Sequence, residues 1–246
     1  MVFDGGVKGK VVVVVGASSG MGRATSLALA AAGATVVACA RRAEALSALA
    51  AEARGSQGAI EPVVMDVRDR ASVEAGLEGA ASRFGRMDAL IYAAGINIPG
   101  RAIGVLTPQD WENLIATNLT GAFHCTQAAL PIMSRQEDGL IVYISSISAK
   151  RGDMSGVAYQ AAKRGIDGLV AGAATELEGG SVRFTVIYPG LCDTPLIDNR
   201  PKPPTPEERA AALKPEDIAA LCLYVVGTPP HVHVAEVVIK PKAPLR

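Results

Sequence analysis

Aromatic side chains are scarce in this chain: one Trp, five Tyr and four Phe make up only 4% of 246 residues. A core with so few rings has to be filled by smaller side chains, and the chain is 49% apolar and rich in Ala and Val. That composition suits a parallel sheet covered by helices on both faces. Cysteine is sparse as well: Cys39, Cys125, Cys192 and Cys222 stand alone, with no Cys-x-x-Cys pair. They suggest neither a disulfide framework nor a zinc site. Neither sign of charge is in excess, with 24 basic residues against 24 acidic ones. Without a basic stripe or block, nucleic acid is not expected as the main partner. No run approaches the roughly 18 apolar residues of a membrane span. Met1 to Lys10 holds no apolar stretch of signal-peptide length. The expectation is a soluble, reduced, cytoplasmic protein with no membrane partner. Its length fits one large α/β domain over residues 1–246.

Strand and helix signals alternate with little linker. Val11 to Val15 is a run of five β-branched residues that reads as a buried parallel strand. Further strands are expected at Thr35–Cys39, Ile60–Met65, Asp88–Tyr92, Leu140–Ile144, Val182–Ile187 and Val234–Ile239. Helices are expected at 23–32, 43–53, 71–84, 108–133 and 156–177, the fourth opened by the cap-and-first-turn pair Thr107-Pro108. Such alternation implies right-handed crossovers and a doubly wound (Rossmann) three-layer sandwich around a parallel sheet of about seven strands. One segment breaks the rhythm. Asp193 to Arg209 holds five prolines and many charges, and it follows the sixth strand at the edge where ligands bind in such sheets. A lid over the substrate, 193–213, is expected there; the plainer alternative is a surface excursion.

Two motifs carry the chemistry. The first strand runs into Gly16-Ala-Ser18-Ser19-Gly20-Met21-Gly22 and then into helix formers. Strand, glycine turn and helix place a pyrophosphate on free N–H groups at a helix N-terminus, and a side chain at the glycines would hold it off the backbone. The spacing is G-x-x-x-G-x-G rather than the common G-x-G-x-x-G. Further on, Tyr159 and Lys163 stand four apart, on one helical face, with Ser146 thirteen residues before the tyrosine. An ammonium beside a phenol favours the phenolate, which is what a tyrosine acid/base needs. Taken alone, a surface tyrosine next to a solvated lysine is the plainer reading of that pair.

Gly16-x-x-x-Gly20-x-Gly22, Asp66-Val67, Ala93-Ala94-Gly95, Thr117-Asn118, Ser145-Ser146, Tyr159-x-x-x-Lys163, Pro189-Gly190 and Thr194-Pro195 occur in one order along nearly the whole chain. In this ordered set the chain resembles the short-chain dehydrogenase/reductase family. The resemblance implies an enzyme with Tyr159 as acid/base and Ser146 orienting the substrate oxygen. It implies that Lys163 binds the nicotinamide ribose and lowers the tyrosine pKa, and that Asn118 holds the water of a proton relay. It also implies a dinucleotide held by the glycine turn with Ser18, Ser19 and Met21. Asp66 and Val67 would lie at the adenine and Ala94-Gly95 near the adenosine ribose, while Pro189, Gly190, Cys192 and Thr194 would cover the nicotinamide and its phosphates. Val15 and Tyr92 depart from the family's usual Thr and Asn, and read as alternative packing. The C-terminal Val232–Pro241 differs from the glycine-rich end of members that reduce carrier-bound acyl groups, and looks like members acting on small hydroxy acids, alcohols or carbonyls.

The cofactor form is read from the end of the second strand, Cys39-Ala40-Arg41-Arg42, which has no acid between Thr35 and Ala43. An acid there would hold the ribose 2′-hydroxyl of NAD, whereas arginine accommodates a 2′-phosphate. NADP(H) is therefore expected in preference to NAD(H), with Arg41 the principal contact and Arg42 assisting; a solvated pair is the alternative. Small residues on the two long helices, Ala128, Ala129, Gly168, Ala171, Gly172 and Ala173, together with the resemblance, point to a dimer or tetramer. His231 and His233 could share a strand face, but no third metal ligand is near them in sequence, and no metal is expected. His124 and Cys192 read as packing residues. The leading expectation is hydride transfer between a secondary alcohol and a ketone on a small-molecule substrate. The rival is a catalytically silent dinucleotide-binding redox sensor, which the presence of Ser146, Tyr159, Lys163 and Asn118 together disfavours.

Overall fold

The computed structural model describes residues 6–177 and 179–242. Seven strands form one parallel sheet: β1 Val11–Val15, β2 Thr35–Ala40, β3 Ala59–Val64, β4 Ala89–Tyr92, β5 Gly139–Ile144, β6 Val182–Pro189 and β7 Glu236–Ile239. Their order is β3-β2-β1-β4-β5-β6-β7, with every neighbouring pair parallel. The order reverses between β1 and β4, and the crevice beyond their C-terminal ends is where such sheets take ligands. The helices are α1 Gly20–Ala31, α2 Ala43–Glu52, α3 Arg70–Phe84, α4 Pro108–Ile115, α5 Gly121–Arg135, α6 Val157–Glu176, α7 Pro206–Ala211 and α8 Pro215–Gly227.

The valines of β1 show why the fold has three layers. Successive side chains on a strand point to opposite faces. Val12 and Val14 enter one core with Leu29, Leu46 and Ile218, and Val11, Val13 and Val15 enter the other with Leu77, Leu90 and Ile166. All five are buried, and each contributes roughly 1.5–3 kcal/mol relative to an exposed valine. A run of one residue type thus builds two hydrophobic layers.

Most strand bounds agree with the sequence to within two residues, the ordinary scatter of element ends. Two helical expectations need correction, and two helices, α7 and α8, have no expected counterpart. The first helix begins at Gly20, inside the glycine turn, rather than at Arg23. The stretch expected as one helix over 108–133 is α4 and α5 joined by a π-helical turn, Ala116–Thr120. Its start is as expected, with the Thr107 side chain accepting from the Asp110 N–H and Pro108 at the first position. A π turn carries one extra residue and has no local periodicity signal. Helix α8 has no counterpart among the expected elements; Ile218, Cys222, Val225 and Val226 bury against the sheet beside α1.

The proline-rich segment after β6 is ordered. A 3-10 turn occupies Pro195–Asn199, and α7 opens with a capping box between Thr205 and Glu208. Asp193 accepts from Arg209 Nη1 at 2.8 Å and Lys214 Nζ at 3.0 Å. These hydrogen bonds, that of Lys214 foremost, hold the Asp193 carboxyl below the usual carboxylate range.

Candidate active site

A cavity of about 470 Å³ opens at the C-terminal ends of β1 and β4. Gly16 and the first turn of α1 form its floor. Gly16 has φ +86, and a Cβ there would stand 2.6 Å from the Ala94 backbone nitrogen. Gly22 does not line the cavity; it packs beneath the turn, where a Cβ would meet the Gly16 carbonyl at 2.4 Å. One glycine lets the two strand ends close together and the other lets the helix close on the turn. The cavity wall takes in Ser18, Ser19, Gly20 and Met21 from the turn, and Arg41 and Arg42 from beyond β2. Asp66, Val67, Ala94, Gly95 and Thr194 complete the surface around it.

The cation cluster at the end of β2 is built into this cavity. Arg42 is the N-cap residue of α2 and reaches across to the glycine turn, with Nη2 donating to Ser18 Oγ at 3.0 Å. The Asp66 carboxylate, by contrast, is taken by the Arg68 fork at 2.7–3.2 Å, which holds it below the usual range. Its side chain is thus paired, and the Asp66 N–H donates to Ser72 Oγ at 3.1 Å.

Tyr159 and Lys163 lie in the first turns of α6, as their spacing required, and both are buried. Lys163 Nζ stands 5.7 Å from the centre of the Tyr159 ring and donates to the Ile144 carbonyl at 3.0 Å. The electrostatics correct the sequence-based expectation of a depressed phenol. Burial pushes Tyr159 up to about 12; hydrogen bonding from Ser146 and the charges of Arg200 and Arg101 oppose the rise. Burial also brings Lys163 down to about 8. Desolvation is the leading cause of both shifts.

Ser146 follows β5 and caps a short 3-10 turn. Its hydroxyl donates to Ser148 Oγ at 3.1 Å, and Ser148 in turn donates to Asp153 Oδ2 at 2.6 Å. Asn118 is fully buried on the π turn. Both ends of its amide are engaged by Ile96: Oδ1 accepts from the N–H at 2.8 Å and Nδ2 donates to the carbonyl at 3.0 Å. A Cβ on Gly95 would stand 3.0 Å from Asn118 Oδ1 and 3.7 Å from Lys163 Nζ. Gly95, Asn118 and Lys163 therefore converge on one point.

A second, smaller cavity of about 100 Å³ adjoins the first, and Tyr159 and Thr194 line both. Pro189, Gly190 and Cys192 line this second cavity rather than the larger one. Gly190 also makes room for the C-terminal strand, since its N–H donates to the Ile239 carbonyl and a Cβ would meet Pro241 at 3.0 Å. Cys192 is buried and its thiol is pushed up to about 12, the behaviour of a packing residue rather than a reactive one. His124 Nδ1 bonds the Val67 carbonyl at 3.0 Å and His233 Nε2 the Phe184 carbonyl at 2.7 Å, so each has a structural partner. Sequence reasoning missed Asn97, Arg101, Ser148, Asp153 and Arg200, which all line the second cavity. No local motif marks them; tertiary folding collects them from three separate loops.

A sheet that reverses order at a glycine-lined cavity, with a buried Tyr and Lys beside it, is the arrangement of a nicotinamide-dependent oxidoreductase class. The sequence profile of the short chain dehydrogenase family matches residues 10–204, and the chain belongs to that family. It is 34% identical over 230 residues to a 3-oxoacyl-(acyl-carrier-protein) reductase of Thermotoga maritima, covering 90% of this chain and 92% of that one. An alcohol dehydrogenase of Thermococcus sibiricus, solved with 5-hydroxy-NADP, superposes with a TM-score of 0.87 at 28% identity, over 97% and 100% of the two chains. A metagenomic short-chain oxidoreductase solved with NADP gives 0.83 at 30% identity, over 97% and 100%. The chain is an NAD(P)-dependent short-chain dehydrogenase/reductase. No helix among the described residues is long and apolar enough to cross a membrane.

Proposed function

We propose that this enzyme interconverts a secondary alcohol and a ketone on a small carbonyl or hydroxy-acid type of substrate, with NADP(H) preferred and NAD(H) accepted. The observation that carries the reading is the place of Tyr159, which lines both cavities, with Lys163 in the larger and Ser146 in the smaller. The larger cavity suits a dinucleotide because its glycine floor admits no side chain and its far wall carries Arg41 and Arg42. Gly16, Ser18, Ser19, Gly20 and Met21 would hold the pyrophosphate, Asp66 and Val67 the adenine, Ala94 and Gly95 the adenosine ribose, and Lys163 the nicotinamide ribose. Bound there, the dinucleotide supplies or accepts the hydride, and the protein supplies position and charge.

In reduction, the Ser146 hydroxyl orients the substrate carbonyl oxygen and Tyr159 gives it a proton. A phenol pushed up to about 12 is protonated at neutral pH and so carries the proton to be given, but burial makes it a weaker acid than a free phenol. In oxidation, Tyr159 has to take the proton, and burial, which favours the protonated phenol, works against that step. Asn118 pins the Gly95–Ile96 corner, and its π turn holds the ordered water that returns a proton to Tyr159 through Lys163. Thr194 lies beside Gly20, where a Cβ would stand 3.3 Å from its methyl group, and it brings the segment 193–213 over the cofactor side as a lid. Pro189, Gly190 and Cys192 support that lid from the substrate side.

The assembly we propose is a tetramer or dimer through α4, α5 and α6. Trp111 and Phe123 are exposed on that surface, and a Cβ on Gly168 or Gly172 would meet nothing within 4 Å. Light scattering at micromolar concentration tests this; a 25.3 kDa particle would overturn it. The reaction is tested with ketones, oxo acids, diketones and sugars, followed by NADPH and NADH absorbance. Turnover of none, with tight dinucleotide binding, would favour the redox sensor.

A further inference from the structure

Arg101 sits in the loop between β4 and α4 and is only 7% exposed. Its Nε is buried without a hydrogen-bond partner, and none of the guanidinium forms an ion pair among the described residues. Guanidinium groups are rarely buried unpaired, because desolvation is costly and only a matching anion repays it. The chain is shaped to hold this one. Gly156, the N-cap residue of α6, has φ +88, and a Cβ on it would stand 2.6 Å from Arg101 Cβ. The turn that launches Tyr159 therefore closes around Arg101.

A second guanidinium joins it. Arg200 ends the 3-10 turn of the lid, and that turn is tied to the loop before Arg101 by Asn199 Nδ2 donating to the Asn97 carbonyl at 3.2 Å. Arg101 and Arg200 both line the smaller cavity with Ser146 and Tyr159, and neither lines the dinucleotide cavity. Burial foremost, and then the like charge of Arg200, hold Arg101 below the usual guanidinium range against the opposing charge of Asp153. One acid is present, Asp153, but its carboxylate is occupied: Oδ2 accepts from Ser148 Oγ at 2.6 Å and Oδ1 from the Ser155 N–H at 2.8 Å. Two cations and one committed anion leave the cavity short of negative charge.

We propose that this cavity recognises the carboxylate of the substrate, so that the enzyme acts on a small oxo acid and its hydroxy acid, with Arg101 as the anchoring residue and Arg200 closing on the carboxylate from the lid. A planar carboxylate matches the guanidinium fork, and about 100 Å³ admits a short chain rather than a bulky one. The inference rests on the carbonyl-reducing reading above. The reaction itself is unchanged. With NADPH as reductant, the carbonyl carbon gains a hydride and its oxygen gains the Tyr159 proton. The C–O double bond becomes single, and the carboxylate leaves as it entered.

The test compares 2-oxobutanoate, 3-oxobutanoate and 4-oxopentanoate with their methyl esters, using NADPH. For the best acid, kcat/KM should exceed that of its ester by at least about thirtyfold, equivalent to roughly 2 kcal/mol. Arg101→Met should bring that ratio to near one, and Arg101→Lys should restore part of it. Arg200→Met, on a partly exposed lid residue, should lower the ratio at least about tenfold even if the Arg101 variants fold poorly. Calorimetric titration of unreactive butanoate into the NADP+-bound enzyme gives a reading without turnover, and both arginine variants should bind it at least about tenfold more weakly. Esters and neutral ketones reduced as well as the acids, or butanoate binding unchanged in both variants, would overturn the proposal. If butanoate binds through Arg101 but no carbonyl is reduced, the proposed reaction fails and the anion site stands.

Discussion

The hydroxyl of Tyr92, at the end of β4, donates a 2.5 Å hydrogen bond to the main-chain carbonyl of Thr117. Both residues are buried, and Thr117 immediately precedes Asn118 on the π turn between α4 and α5. A π turn takes main-chain groups out of α-helical register, and this bond satisfies one of them. Tyr92 stands where the family usually has Asn, and the structure shows what the longer side chain reaches. It also explains Gly121, since a Cβ there would stand 2.6 Å from the Tyr92 oxygen.

Tyr92→Phe should leave the Thr117 carbonyl without its partner while keeping the ring. The expected cost is about 1–3 kcal/mol, read as a lower urea midpoint with an unchanged denaturant slope. Gly121→Ala should destabilise the wild-type protein, and by less when combined with Tyr92→Phe, because the colliding oxygen is then gone. Equal losses in both would show that the clash with Val67, 2.8 Å away, dominates.

Tyr159→Phe should keep the fold and dinucleotide affinity and lose turnover by about 10²–10⁴-fold. Steady-state kinetics beside a fluorescence titration of NADPH separates the two. More than about a tenth of wild-type rate would mean that another group supplies the proton.

Lys163 gives a pH signature in the cofactor-free protein. Its pKa falls from 10.5 to about 8 on folding. Between those values the unfolded chain holds a proton that the folded chain lacks, so this residue adds stability as pH rises. Buried thiols act oppositely, since Cys39 and Cys222 rise from 9.0 to about 12. The lysine is isolated by comparison with Lys163→Met. That variant should be the more stable below about pH 8, and its advantage should shrink towards pH 10. A difference in urea midpoints that does not change with pH would show that Lys163 is not depressed.

Arg41→Ala should raise the Michaelis constant for NADPH at least about tenfold, or about 1.4 kcal/mol, and change that for NADH by less than about twofold. Arg42→Ala should cost less for NADPH but should also loosen the glycine turn, because it removes the bond to Ser18. Equal losses for both cofactors with Arg41→Ala, or a wild-type preference for NADH, would contradict the NADP(H) assignment.

The sequence by itself determined the layers and the cradle. Five consecutive valines read as a strand buried on both faces, and the glycine turn after it marks a cradle at a helix start. The spacing of Tyr159 and Lys163 put them on one helical face, because helix geometry is local. What the tertiary structure decided depends on burial and on contacts distant in sequence. The direction of the Tyr159 and Lys163 pKa shifts follows from desolvation, which four residues of sequence do not contain. The π turn at Asn118 is held by Tyr92, and that bond spans 25 residues. Helix α8 is likewise decided by tertiary structure, because its apolar residues bury against α1 and the sheet, which only the folded chain brings together. The burial of Arg101 also depends on a distant contact, with Gly156, 55 residues further along the chain, packed against its Cβ.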